Sequence, residues 1–211
     1  MTQQVQQFAM VQGNITRLLG PEKSAEFIAN LLFFISIGSN DIPDHHQYNR
    51  TTVSLPQLMA AMQSNFTVQL TNLYNLGAWK FGIIGVPLLG CRPVVWVENL
   101  TKSGSGMIYS LENAYYMTYT MLKDPSSFGI KNIEKACCGK GWLNAEKACF
   151  INYNLNLCLK RKEFLFWDMY HPIEYASRLA AFALFNKNSS FVTPINFSQL
   201  AQASPIKLVL L

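Results

Sequence analysis

The 211-residue chain is half apolar, 14% charged and 13% aromatic, which supplies a core and excludes intrinsic disorder. Its strongest apolar runs, residues 31–37 and 81–91, are shorter than the roughly 18–20 residues that span a bilayer, so no integral membrane segment is expected. Net charge is +5, and residues 131–163 concentrate seven basic against three acidic side chains. The cluster reads as a solvated face, with an acidic partner as the alternative.

Taken in chain order, Val5, Phe8, Val11, Ile15 and Leu18 recur at helical spacing and predict an amphipathic helix over residues 3–19. Gly20-Pro21 ends it, and a second helix is expected from Glu22 to about Asn30. Residues 31–37 (LLFFISI) then read as a buried parallel strand that runs into Gly38-Ser39-Asn40-Asp41. The adjacent His45 and His46 are read as exposed loop residues. Ser54 is the predicted N-cap of a helix through Leu58, Met62, Phe66, Leu70 and Leu73, closed by Gly77. A second buried strand is expected over 81–86, stopped by Pro87.

Strand, helix and strand in this order make a βαβ unit of an α/β layered fold. Ligand sites in such folds lie beyond the carboxyl ends of the strands, which makes Gly38 to Asp41 a candidate on geometry alone. The pattern then fails. Residues 93–107 (PVVWVENLTKSGSGM) are too short and polar for a crossover helix, while new structure begins near Ile108. Either the sheet turns antiparallel there or a piece is absent.

Further along, Phe164 to Trp167 reads as a short apolar strand, Asp168 to Pro172 as a loop, and Ile173 to Phe185 as an amphipathic helix whose first position suits Pro172. A carboxylate three residues before an imidazole can fix its tautomer and stabilise the imidazolium formed when the other nitrogen takes a proton. Asp168 and His171 are therefore candidates for a general base and its orienting partner. The plainer alternative is a helix-capping Asp beside an incidental His. Asn40, at a strand end, offers an amide donor suited to a developing oxyanion, or simply satisfies a turn.

Five cysteines occur, at Cys91, Cys137, Cys138, Cys149 and Cys158. The spacing supplies no Cys-x-x-Cys pairs, so loop disulfides are expected rather than a metal site, with the pairing open and one thiol left over. Six Asn-x-Ser/Thr sequons, at Asn14, Asn49, Asn65, Asn99, Asn188 and Asn196, compare with about two expected by chance from 17 Asn and 25 Ser plus Thr. They predict a glycosylated protein of the secretory pathway. The opening residues MTQQVQQFAM have no basic start and apolar run of a signal peptide, so the N-terminus is expected not to be the natural one.

The ordered set Gly38-Ser39-Asn40-Asp41, Gly85-Val86-Pro87-Leu88-Leu89-Gly90-Cys91-Arg92-Pro93, Cys137-Cys138-Gly139-x-Gly141 with Leu143-Asn144 and Cys149, and Phe166-Trp167-Asp168-x-Tyr170-His171-Pro172 resembles the plant GDSL esterase/lipase family, a branch of the SGNH hydrolases. The resemblance runs from near residue 3 to about residue 186. It implies a three-layer α/β/α, flavodoxin-like hydrolase sheet in one domain over 1–211, incomplete at its N-terminus. It also implies cleavage of carboxylic esters of small or lipid substrates by a Ser nucleophile, in a secreted protein without metal, cofactor or nucleic-acid partner. His171 would be the base, Asp168 its partner, and Asn40 with the loop begun by Gly38 the oxyanion donors.

Two departures bear on activity. The Gly-Asp-Ser nucleophile motif that the resemblance implies does not occur in the 211 residues, and a longer helix-bearing segment with a further Cys would be expected where residues 93–107 stand. Ser39 sits beside the oxyanion donor and is not read as a substitute nucleophile. The chain alone is therefore expected to be inactive. The alternative is a non-catalytic secreted glycoprotein, or a truncated gene product, that retains an acyl- or lipid-binding pocket.

Overall fold

The structure, a computed structural model, describes residues 1–45, 52–85, 106–147, 149, 156–186 and 190–204. Their contacts divide them into two compact units, one within Met1–Ala114 and Val192–Leu211, the other within Tyr115–Phe191.

The first unit is a four-stranded sheet with helices on both faces. Helix α1 (Thr2–Leu19) and helix α2 (Pro21–Ala29) meet at Gly20, whose φ of 80° lies in the left-handed region that glycine adopts without a Cβ clash. Strand β1 (Leu32–Ser36) follows, then the one-turn helix α3 (Asp41–Asp44) and helix α4 (Leu55–Asn75). Ser54 caps α4 in a capping box. Its hydroxyl accepts from Gln57 N at 3.4 Å, and the Gln57 side chain accepts from Ser54 N at 2.9 Å. Gly77 closes the helix with φ 97°, and an added Cβ would lie 3.2 Å from Ile28 Cγ2.

Strand β2 (Lys80–Ile84) and strand β3 (Ile108–Glu112) continue the sheet, which β6 (Val192–Pro194) completes in the order β1-β2-β3-β6. The first three strands are parallel, with Ser36, Ile84 and Glu112 level at their carboxyl ends; β6 is antiparallel to β3. The parallel pairing of β2 with β3 excludes an antiparallel turn between them. Residues 86–105, including the segment expected to lack a helix, lie outside the described residues.

Alternation along the strands sorts two faces. Phe81, Ile83, Tyr109, Leu111 and Ile35 meet Val5 of α1 and Phe66, Leu70 and Leu73 of α4 in one buried cluster. Those α4 positions follow the predicted helical spacing. The opposite face receives helix α7 (Phe197–Gln202): Phe34 and Phe197 stack edge to face at 5.3 Å, Lys80 Nζ donates to Ala201 O at 3.3 Å, and Ser110 Oγ donates to Ile195 O at 2.6 Å. This is the expected layered α/β arrangement.

The structure corrects two expectations in this unit. β1 is parallel but not buried on both faces: it is the outer strand among the described residues, and Phe34 is 56% exposed. A cavity of about 320 Å³ opens between its outer edge and α1, lined by Val5, Phe8, Phe33, Ile35, Ile37 and Leu73. His45 is buried rather than exposed, because the turn of α3 brings its Nε2 onto the Val53 carbonyl. His46 lies outside the described residues.

The second unit holds helix α5 from Tyr115 on (Ala114–Lys123), the short hairpin β4 (Cys138–Gly139) with β5 (Asn156–Leu157), and helix α6 (Glu174–Asn186). Met117, Met121, Ile130, Leu165, Ile173 and Leu184 are among its buried apolar side chains. Phe164 to Trp167 makes isolated bridges, Asn132 to Phe164 and Phe166 to Pro172, instead of the expected strand. With Pro172 held in that bridge, α6 starts only at Glu174. Among the described residues no helix is long and apolar enough to cross a membrane.

Candidate functional site

The Asp168–His171 loop is built by folding residues 165–173 back on themselves. Ile173 N donates to Leu165 O at 2.9 Å and Trp167 N to His171 O at 2.8 Å, over a base anchored by buried Leu165 and Ile173. Two further amides grip the outer side: Cys137 N donates to Phe166 O at 3.0 Å and Cys138 N to Trp167 O at 2.7 Å. Those cysteines form the disulfides Cys137–Cys158 and Cys138–Cys149, one nested inside the other. The expectation of loop disulfides is met and the pairing resolved for four cysteines; Cys91 lies outside the described residues.

Both carboxylate oxygens of Asp168 lie 2.9 Å from His171 Nδ1. Oδ1 also accepts from the backbone N–H groups of Tyr170 at 2.9 Å and His171 at 2.8 Å. Burial alone would raise the Asp168 pKa, but the His171 hydrogen bond, the two backbone donors and the imidazole charge outweigh it and hold it below the ordinary carboxylate value. An ionised carboxylate only accepts, so Nδ1 carries the proton and Nε2 presents its lone pair. The His171 side chain is 70% exposed, so that lone pair faces outward. Asp168 thus closes its own loop through Oδ1 and holds the imidazole with both oxygens.

Gly38 and Asn40 stand in the first unit, just beyond the carboxyl end of β1. Gly38 is buried with φ 96°, a turn that lets the chain leave the strand. Asn40 precedes α3 with its side chain exposed and makes no capping hydrogen bond to that helix. Glu112, which sequence reasoning passed over, is buried at the same end of the sheet, level with Ser36. Burial pushes its carboxyl up to about 7. A Glu closing an alternating strand gives no signal of this in the sequence. Gly85 packs so close that an added Cβ would lie 2.7 Å from Glu112 O. Among the described residues, no group of three or more His, Cys, Asp or Glu side chains is placed to hold a metal ion.

Of the sequon asparagines, Asn14 on α1 and Asn65 on α4 are exposed. Asn196 needs correction as a glycan site, because it is buried and its Oδ1 accepts from Gln199 N at 2.7 Å as the cap of α7. Asn49, Asn99 and Asn188 lie outside the described residues.

A layered α/β sheet with candidate groups at the carboxyl ends of its strands, and a separate Asp–His loop, defines the general class. No family model matches the chain, but comparison with curated proteins is specific. A GDSL esterase/lipase of Arabidopsis thaliana is 30% identical over 94% of this chain and 64% of its own length. A second from that plant is 28% identical over the same shares, and a GDSL lipase of Tanacetum cinerariifolium is 26% identical over 96% and 61%. Over nearly all of its length the chain is thus similar to plant GDSL esterases/lipases. It spans less than two thirds of the length of these relatives.

Proposed function

We propose that Asp168 and His171 are the base half of an ester-hydrolysing site of the GDSL type, with Gly38 and Asn40 as its oxyanion donors. The observation that carries the reading is the two-oxygen contact of Asp168 with Nδ1, which leaves Nε2 to take a proton from a hydroxyl nucleophile. The names of the relatives support ester hydrolysis. The 211 residues contain no Gly-Asp-Ser, so the chain by itself lacks the nucleophile and does not turn over ester.

Purified chain with p-nitrophenyl butyrate is expected to stay at background; turnover abolished by Ser39→Ala would overturn that statement. A protein that joins this chain to a Gly-Asp-Ser segment tests the pair. In the protein that includes it, Asp168→Asn is expected to lower kcat by about 10⁴, and an unchanged kcat removes the pair from the site. Two cystines and the exposed sequons Asn14 and Asn65 support an extracellular protein. A mass shift on deglycosylation of chain secreted from a plant host checks it.

A second reading rests on the cavity beside β1, where Gln4 and Ser36 join a mostly apolar lining. A chain that binds acyl groups there without cleaving them is a secreted binding protein. Displacement of a fluorescent fatty acid from a cooperatively melting chain supports that reading, and an insoluble or molten chain removes it.

A further inference from the structure

The cystine-bearing stretch of the second unit exposes large apolar side chains on a rigid frame. Trp142 is 74% exposed, Leu157 51% and Leu159 99%. They are held out by the backbone. Leu143 and Asn144 adopt left-handed φ values of 53° and 57°, and Asn144 Nδ2 donates to Ala136 O and Asn156 O, both at 3.1 Å. The Cys137–Cys158 and Cys138–Cys149 bonds staple the flanks. Leu157 pairs with Cys138 in the β4–β5 hairpin and Asn144 bonds Asn156, so the Trp142 and Leu157 segments adjoin.

Cations surround them. Lys140 and Lys147 pair in an antiparallel bridge on either side of Trp142, with the Glu146 side chain packed against Gly141 between them. Leu159 runs directly into Lys160, Arg161 and Lys162. Lys160 lies 3.8 Å from Glu163, and Arg161 lies over the Trp167 ring. Trp and Leu at the tip, with Lys and Arg beside them, is the chemistry of an interfacial anchor: apolar groups enter the acyl boundary while cations stay with the headgroups.

We propose that this stretch docks the chain on an anionic lipid surface through Trp142, Leu157 and Leu159, with Lys140 and Lys147 at the headgroups. The proposal deepens the ester-hydrolase reading and rests on it for its purpose. The same stretch donates the Cys137 and Cys138 amides to the loop carrying His171, where Met169 and Tyr170 are 38% and 71% exposed. Docking therefore brings the base to a substrate that resides in the lipid surface.

The full chain, produced oxidised through a secretory host, is tested by co-sedimentation with vesicles of phosphatidylcholine alone and of phosphatidylcholine mixed equally with phosphatidylglycerol. The chain is expected to partition onto the anionic vesicles, with tryptophan emission moving to the blue, and to be released by salt. Trp142→Ala with Leu159→Ser is expected to weaken partition at least about ten-fold, and Lys140→Ala with Lys147→Ala to remove much of the salt dependence. All four side chains stand outside the core, and titration of free thiols checks that each variant keeps both cystines. Equal partition of native chain and apolar variant overturns the proposal. So does failure of the native chain to bind anionic vesicles, the outcome for a surface built for a protein partner. Partition is read without hydrolysis, so vesicle binding without ester turnover in the longer protein rejects the enzyme reading and leaves docking standing. Turnover of a soluble ester without vesicle binding does the reverse.

Discussion

Glu112 buries a carboxyl group at the end of the central sheet, and burial pushes its pKa from 4.5 to about 7. The folded chain thus holds this proton more tightly than the unfolded chain. The contribution to stability is fully present below pH 4.5, falls as pH rises, and is lost above about 7, a difference of about 3 kcal/mol. Glu112→Gln is expected to flatten the melting temperature over that window and to raise it by several degrees above pH 7. Parallel melting profiles for the two chains would show that the carboxyl is solvated. Such a residue is hidden from sequence reading because burial is set by strand order and by what covers the strand end. Asp168 and His171 were legible for the opposite reason: their three-residue spacing is short enough for one loop to bring them into contact. The same logic failed for His45, whose partner Val53 depends on how α3 turns.

Helix α4 shows how far local signals reach at the scale of an element. Its Ser54 cap and its apolar positions at Phe66, Leu70 and Leu73 were legible, since capping chemistry and a 3.6-residue period act within one segment. Ser54→Ala is expected to cost about 1 kcal/mol, read by urea denaturation, because the Gln57 N–H loses its hydroxyl partner. An unchanged midpoint would mean that water replaces the cap without loss. Strands gave less. β1 and β2 were located by their apolar runs, but the run over 31–37 says nothing of whether a strand is central or outermost. Phe164 to Trp167 looked like a strand and became a bridged loop, because its amide and carbonyl groups are taken by Asn132, Cys137 and Cys138 rather than by one long partner.

For the whole molecule, the fold class and the likeness to plant GDSL esterases/lipases were legible in the order of motifs, whereas the division into two compact units was not. Apolar Phe34 and Ile37 stand exposed on and just beyond β1, at the outer edge of the sheet among the described residues. An edge of this kind recruits other strands. Light scattering is expected to rise with concentration of the purified chain, and Ile37→Lys to lower it; a monomer at every concentration would show that the edge is already covered. The second unit draws its stability differently, from two cystines that close loops of 21 and 11 residues and are worth about 3 kcal/mol each. The amides of Cys137 and Cys138 are also the clamp on the Phe166 and Trp167 carbonyls. The cystines therefore brace the carbonyl clamp outside the His171 loop as well as the hairpin, while the loop's own bonds close it from within. One short stretch of chain thus serves two neighbours at once, its sulfurs tying the hairpin and its amides tying the turn that carries His171.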